Sequence, residues 1–402
     1  MLDLLKLLSV LAVIILLLRF KWNLGLVLLL ASAATGLLFG RPSADLAKDF
    51  LGAAIDPLTL RLVCIVLLIT FLGEILRSTL QLEGLIRSLG DLFLDRRWLM
   101  ALIPMLIGLL PMVGGAMFSA PMVEEANQGL DLGRERKTFV NYWFRHTLES
   151  VFPLYPSLVL AASLMGVSPR TLTFTQWPLF LAALASGVLF GLLGIHRSDP
   201  ASDGRPSPRS TFLLLAKSIW PILLVLGLAL VLGADLILSL LVTVVILVCL
   251  HRLGPRRLAA VVRRMPLGSA PVLFGAMIFR RVLETSDAVG VASEALAASG
   301  IPLPVTVFAV PLLAGLLTGL AVAAFAIGFP LVFPLCGPDL VGSGYGLLAY
   351  AGGFVGLMLS PVHLCLALTR EYFQAEWGGV YRRLIPAALL MLAVAAVVVW
   401  VR

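Results

Sequence analysis

Apolar runs bounded by charge or by Gly and Pro recur along the whole chain, in two sets of six. The first set covers residues 4–18, 23–39, 58–80, 98–126, 138–165 and 177–195, and the second covers 211–232, 235–250, 266–283, 302–334, 345–369 and 384–400. A bilayer crossing needs about 20 apolar residues, so these runs predict membrane helices. Between the sets lies HRSDPASDGRPSPRS, residues 196–210, the most polar and Pro/Gly/Ser-rich stretch of the chain. It reads as a linker. The pattern therefore divides the chain into a first repeat (1–195), a linker (196–210) and a second repeat (211–402).

The fourth run of each set is interrupted. In WLMALIPMLIGLLPMVGGAMFSAPMVEEA, Pro111 and the Gly114-Gly115 pair cut the run near its middle. As helix its two pieces would rise roughly 20 Å and 16 Å, and neither spans a hydrocarbon core of about 30 Å. A re-entrant hairpin is expected, with its tip lining a site, because non-helical backbone at membrane depth needs protein or a wet cavity around it. PLLAGLLTGLAVAAFAIGFPLVFP, from Pro311 to Pro334, is the counterpart: Gly315-Leu-Leu echoes Gly108-Leu-Leu, and Pro330-Leu-Val echoes Pro121-Met-Val. The fifth runs echo each other too, with Pro153 and Pro156 in one and Ser360-Pro361 in the other. Proline there frees backbone carbonyls within a helix. The expected fold is all-α and polytopic: two inverted repeats, each of five transmembrane helices plus one re-entrant hairpin, with Pro-broken helices.

Composition closes off other classes. Of 402 residues, 60% are hydrophobic and 13% charged, which excludes a soluble globular chain. The net charge of +8 comes without a basic, aromatic-interleaved patch, so no nucleic-acid partner is expected. If both hairpins return to their starting side, 22 of the 30 basic residues collect on one side, that of the linker. This predicts a cytoplasmic linker, both termini outside, and a cell (inner) membrane location. Cys64, Cys249, Cys336 and Cys365 show no CxxC spacing, so neither a disulfide framework nor a metal site is indicated and packing roles are expected. The N-terminus lacks a small-residue cleavage site and reads as a retained first helix.

The residues able to carry chemistry cluster at the interruptions. At the first hairpin they are Pro111, Gly114, Gly115 and Ser119, where glycines admit a ligand to backbone N–H groups and a half-helix N-terminus favours an anion. Thr318, Gly319 and Gly328 are their equivalents in the second. In the fifth run, Asn141, Arg145, His146, Glu149 and Ser150 form the densest polar stretch inside any expected span. Arg145 suits an anionic solute; His146 and Glu149, one turn apart, suit ion coupling, as does Glu74 despite Arg77 three residues on. Tyr155, Ser157, Ser360 and His363 flank the breaks and would complete a binding site. The same polar run also fits an interhelical hydrogen-bond knot.

GLLPMVGGAMFSAPMV, NYWFRHTLESVFPLYPS and LSPVHLCLALTREYF resemble segments of an uncharacterised membrane family, domain of unknown function 401, within the ion-transporter superfamily of citrate, gluconate, dicarboxylate and arsenite carriers. The resemblance covers nearly the whole chain. It implies a homodimer with a fixed scaffold and a moving transport domain. The Ser-Asn-Thr signature of sodium-coupled dicarboxylate members is missing, which favours a proton over sodium as the coupling ion, while carbonyls freed by Pro153, Pro156 and Pro361 would still suit sodium. The expected function is secondary active transport of a small anionic solute, a carboxylate or oxyanion, with membrane lipids as the other partner and no cofactor. HExxH, GxSxG and GxxxxGK[ST] motifs are missing, so no enzymatic activity is expected. A lipid-handling protein or enzyme, or an ion channel, is the alternative.

Overall fold

The computed structural model describes residues 2–20, 22–92, 95–109, 115–130, 132–195, 208–265, 267–286, 288, 290 and 300–401, and among them all regular structure is helical. The first half contains α1 (Leu2–Arg19), α2 (Leu24–Leu38), α3 (Ser43–Ile55), α4 (Pro57–Ser78), α5 (Gln81–Leu92), α6 (Arg96–Gly108), α7 (Ala116–Ala126), α8 (Arg134–His146), α9 (Pro156–Leu164), α10 (Pro169–Thr175) and α11 (Trp177–Gly187). The second contains α12 (Pro208–Leu226), α13 (Leu236–Leu250), α14 (Pro255–Arg264), α15 (Ser269–Thr285), α16 (Leu303–Thr318), α17 (Ala321–Val332), α18 (Tyr345–Leu359), α19 (Leu364–Phe373) and α20 (Trp377–Val401). Local chemistry sets many of the starts. Asn23 accepts from the N–H groups of Gly25 and Leu26, and Asp235 from those of Ile237 and Leu238. Asp56 caps Leu58 with Pro57 at the first helical position, where its missing N–H is no loss.

The chain is a multi-pass membrane protein. Pro57–Ser78, Arg209–Val231, Trp377–Val401 and, counted through its break, Tyr345–Phe373 are each long and apolar enough to cross a bilayer, and shorter apolar helices accompany them. α9 and α10 meet at a 100° bend. Four elements, α3, α5, α10 and α14, lie between the apolar runs and have no place in the twelve-run pattern. They are short and carry charged or polar residues, as in PRRLAAVVRR of α14, where only Val261 is buried. A scan for long apolar runs passes over such helices.

Both expected hairpins fold back on themselves. The Arg96 guanidinium donates to the Gln128 carbonyl at 2.7 Å, joining the entrance of α6 to the exit of α7. Residues 110–114 lie outside those described, and Pro111 and Gly114 with them. In the second hairpin the turn is Gly319, at φ +65°, followed by Leu320. Gly328 is not at this tip, contrary to expectation: it lies within α17 against Pro311, whose Cα a Cβ there would approach to 2.8 Å. Backbone closeness between the hairpin's two helices is what that glycine serves. The internal echo extends further, since Pro104 in α6 and Pro311 in α16 both lie four residues before the echoed glycines, and Pro121 and Pro330 both lie inside the second helix of their hairpins.

The two halves pack reciprocally. α2 lies on α15 and α13 on α4; α3 also meets α15 and α14 meets α4. At the centre, α7 packs against α19 and α17 against α9, so the second helix of each hairpin rests on the far part of the other half's broken helix. Basic residues close the periphery. Arg97, Arg136 and Arg383 donate to carbonyls of Ile195, Gly191 and Phe190 at 3.0, 2.7 and 2.7 Å. Elsewhere Arg41 and Arg281 flank Asp49 at 2.8 and 3.7 Å, and Arg61 pairs with Asp235.

Candidate functional site

The site begins where two helices stop. α8 ends at His146, gives way to one 3-10 turn (Thr147–Ser150) and resumes as α9 at Pro156, whose ring cannot continue a helix. α18 ends at Leu359 and α19 begins at Leu364, with Ser360 to His363 between them. The structure brings these breaks together. His146 Nε2 and His363 Nε2 are 3.1 Å apart, both side chains buried. The His146 Nδ1 lies 2.8 Å from the Tyr142 carbonyl, and the His363 Nδ1 lies 2.6 Å from the Gly319 carbonyl at the second hairpin's turn. Cys365 is buried beside them, and its Sγ and one nitrogen of each histidine lie within 4.8 Å of one another.

Around this pair the polar run of the fifth segment is buried and partnered. Glu149 accepts from Ser157 at 3.2 Å, and its backbone carbonyl accepts from Tyr350 at 2.9 Å. Arg145 and His363 both bear electrostatically on Glu149. Tyr155 donates to the Gly108 carbonyl, and a Cβ on Gly108 would lie 2.2 Å from the Arg145 carbonyl. Asn141 donates to the Ala116 carbonyl at 3.0 Å and to Thr369 at 3.2 Å, tying α8 to the start of α7 and to α19. Among the described residues its Oδ1 is buried without a hydrogen-bond partner, as is the Ser150 hydroxyl. The amide oxygen can accept a hydrogen bond, and the hydroxyl can donate or accept one.

Of the other expected residues, Gly115 precedes α7 and Ser119 is buried in its second turn, donating to the Ala116 carbonyl. Ser360 donates to the Leu316 carbonyl at 2.6 Å and Thr318 to the Ala314 carbonyl at 2.7 Å. Glu74 is elsewhere. It faces Arg77 at 3.7 Å in a cleft of about 570 Å³ that also presents His251, Arg257 and Arg264. The structure adds Tyr142, Tyr350, Thr369 and Cys365 to the centre. Of these only Cys365 carried a sequence signal, its position two residues after His363.

Four helices, α7, α9, α17 and α19, start within two residues of a member of this network. Their first N–H groups lack intrahelical partners, and their dipoles present positive ends to the space between the breaks. Helix starts of this kind favour negative charge, and freed carbonyls and a carboxylate favour positive charge.

Comparison with known proteins accords with this architecture. A protein-family model described as a protein of unknown function, DUF401, matches residues 2–402. Among solved structures, the crystal structure of the Alcanivorax borkumensis YdaH transporter, described as revealing an unusual topology, is similar with a TM-score of 0.60. The likeness covers 97% of this chain and 98% of that one at 15% sequence identity, and is therefore one of fold. No curated protein matches the chain.

Proposed function

We propose that this chain, which belongs to the DUF401 family, is a secondary active transporter of a small anionic solute working by alternating access. One observation carries the reading: the broken helices of the two halves meet at His146 and His363, and each is covered by the hairpin of the other half. Interrupted helices at the interface of two repeats are how carriers place a solute near mid-membrane. The reciprocal packing supports two inverted repeats of five crossings and a hairpin each. The fold it shares with a transporter points the same way.

In this reading Asn141, Arg145 and the helix starts receive the anion, and the Glu149 carboxylate receives the coupling proton or sodium ion. Thermal-shift screening of purified protein against carboxylates and oxyanions should find stabilising ligands, since anything that binds only the native state raises its stability. In proteoliposomes a stabilising anion should accumulate along a proton or sodium gradient, and Glu149→Gln should remove that gradient dependence while leaving solute exchange. Stabilisation by lipids alone, with every small anion inert, would sink the transporter reading.

A further inference from the structure

We propose that His146, His363 and Cys365 form a buried binding site for a zinc-type d10 cation that bridges the two halves of the molecule. The inference rests on the donor geometry and is independent of the transport reading. A backbone carbonyl only accepts, so the carbonyls of Tyr142 and Gly319, at 2.8 and 2.6 Å, fix the proton of each imidazole on Nδ1. In the neutral rings the two Nε2 atoms then present bare lone pairs to each other at 3.1 Å. That contact is repulsive unless a shared proton or a metal ion lies between them, and a thiol beside both rings gives a metal ion its third donor. Zn–N bonds of about 2.0–2.1 Å at a tetrahedral angle separate two nitrogens by about 3.3 Å. The observed spacing is already close to that value.

Cys365 supplies the third donor. Its Sγ lies within 4.8 Å of one nitrogen of each histidine, wider than the roughly 3.6 Å between two ligands of one tetrahedral ion, so the thiol turns toward the rings on binding. Two imidazoles and a thiolate suit zinc over magnesium, calcium or manganese, which prefer oxygen. On binding, the thiol proton leaves to solvent and the sulfur lone pair forms the Zn–S bond. The outer shell is in place as well, because metal-bound histidines almost always donate their other ring N–H to a carbonyl, carboxylate or water. Three protein donors leave the fourth position to water or an anion. The two histidines come from the end of α8 and from just before α19, 217 residues apart, and His363 is tied to the second hairpin's turn, so an occupied site would join three elements.

Cobalt(II) is the probe, since it takes tetrahedral zinc sites and reports thiolate ligation by a near-ultraviolet charge-transfer band. Chelator-stripped full-length protein in detergent should bind one Co²⁺ per chain with that band, and Zn²⁺ should bleach it. The band should vanish in Cys365→Ser and persist when Cys64 and Cys249, the two exposed thiols, are replaced by Ser. His363→Gln should weaken binding by more than about 100-fold, beyond the 10- to 100-fold effect of losing an outer-shell partner. If His363→Gln does not fold, the near-isosteric Cys365→Ser decides. No charge-transfer band in the stripped wild-type protein, or a band that survives Cys365→Ser, overturns the proposal.

Discussion

Gly319 shows how single positions hold the central arrangement. Its φ of +65° is a left-handed conformation that strains other residues, and an added Cβ would meet the His363 backbone nitrogen at 2.8 Å. Gly40 has a similar φ of +74° with open space around it. Gly40→Ala should therefore show only the left-handed cost, about 1–2 kcal/mol, whereas Gly319→Ala should lower the thermal midpoint further and disturb the bond to His363. Equal melting temperatures for the two variants would show that the tip yields freely. Asp49 makes a second residue-scale case, at the end of the molecule near Arg41. Burial alone would push its carboxyl up, but hydrogen bonds from Arg41 and Thr285 and the charge of Arg281 outweigh it and hold the group below the ordinary carboxylate value. The native state thus binds this proton less readily than the unfolded chain. Its contribution is present above about pH 4 and fades as pH falls through the native value. Asp49→Asn should be less stable than wild type in melts at pH 7, with the gap narrowing as pH falls below about 4.

At the scale of elements, glycine sets how closely the central helices approach. α16 and α18 touch backbone to backbone: a Cβ on Gly352 would lie 2.2 Å from the Phe308 carbonyl, one on Gly356 2.1 Å from that of Leu312, and one on Gly315 2.5 Å from that of Gly353. In a membrane, where lipid is as apolar as leucine, such close packing and not hydrophobic exclusion drives association. Gly356→Ala should force the pair apart at a cost of about 1–3 kcal/mol. Gly73, inside α4 with no atom of the described residues within 4 Å of a Cβ, is the contrast. Gly73→Ala should instead stabilise by roughly 0.5–1 kcal/mol through helix propensity, and thermal unfolding of both in one detergent compares them. Gly108 does in the first half what Gly315 does in the second, holding the first hairpin helix against the helix that later breaks. This gives the Gly-Leu-Leu echo a physical meaning.

At the scale of the whole molecule stands the expected orientation, which places Arg77, Arg97, Arg136, Arg257, Arg264 and Arg383 on the linker side and Arg41 and Arg281 on the other. Arg97, Arg136 and Arg383, which the charge count assigns to the linker side, all bond the 190–195 stretch that leads into the linker. Arg77, Arg257 and Arg264, assigned to that side too, share one cleft. Arg41 and Arg281, from the other set, meet at Asp49. A cysteine at Gly204, in a background without Cys64 and Cys249, should stay unlabelled by an impermeant maleimide in intact cells and react once they are opened. Labelling in intact cells would invert the orientation.

The amino-acid sequence by itself determined the apolar runs, the places where helices must stop and the pairing of one half's segments with the other's. Membrane length, proline's missing N–H and glycine's small size act within a few residues, so they are legible along a chain. It also singled out Asn141, Arg145, His146, Glu149, Tyr155, Ser157, Gly319, Ser360 and His363, because polar groups inside apolar runs are expensive and stand out. Which of these meet was decided only by tertiary structure. His146 and His363 are 217 residues apart, and no local rule joins them. The fold also sets the Cys365 sulfur beside both imidazoles and places Glu74 in a cleft with Arg77 and His251, which no spacing along the chain announces. The short helices α3, α5, α10 and α14 were hidden for the complementary reason, since they interleave apolar residues with charged or polar ones and form no long apolar run.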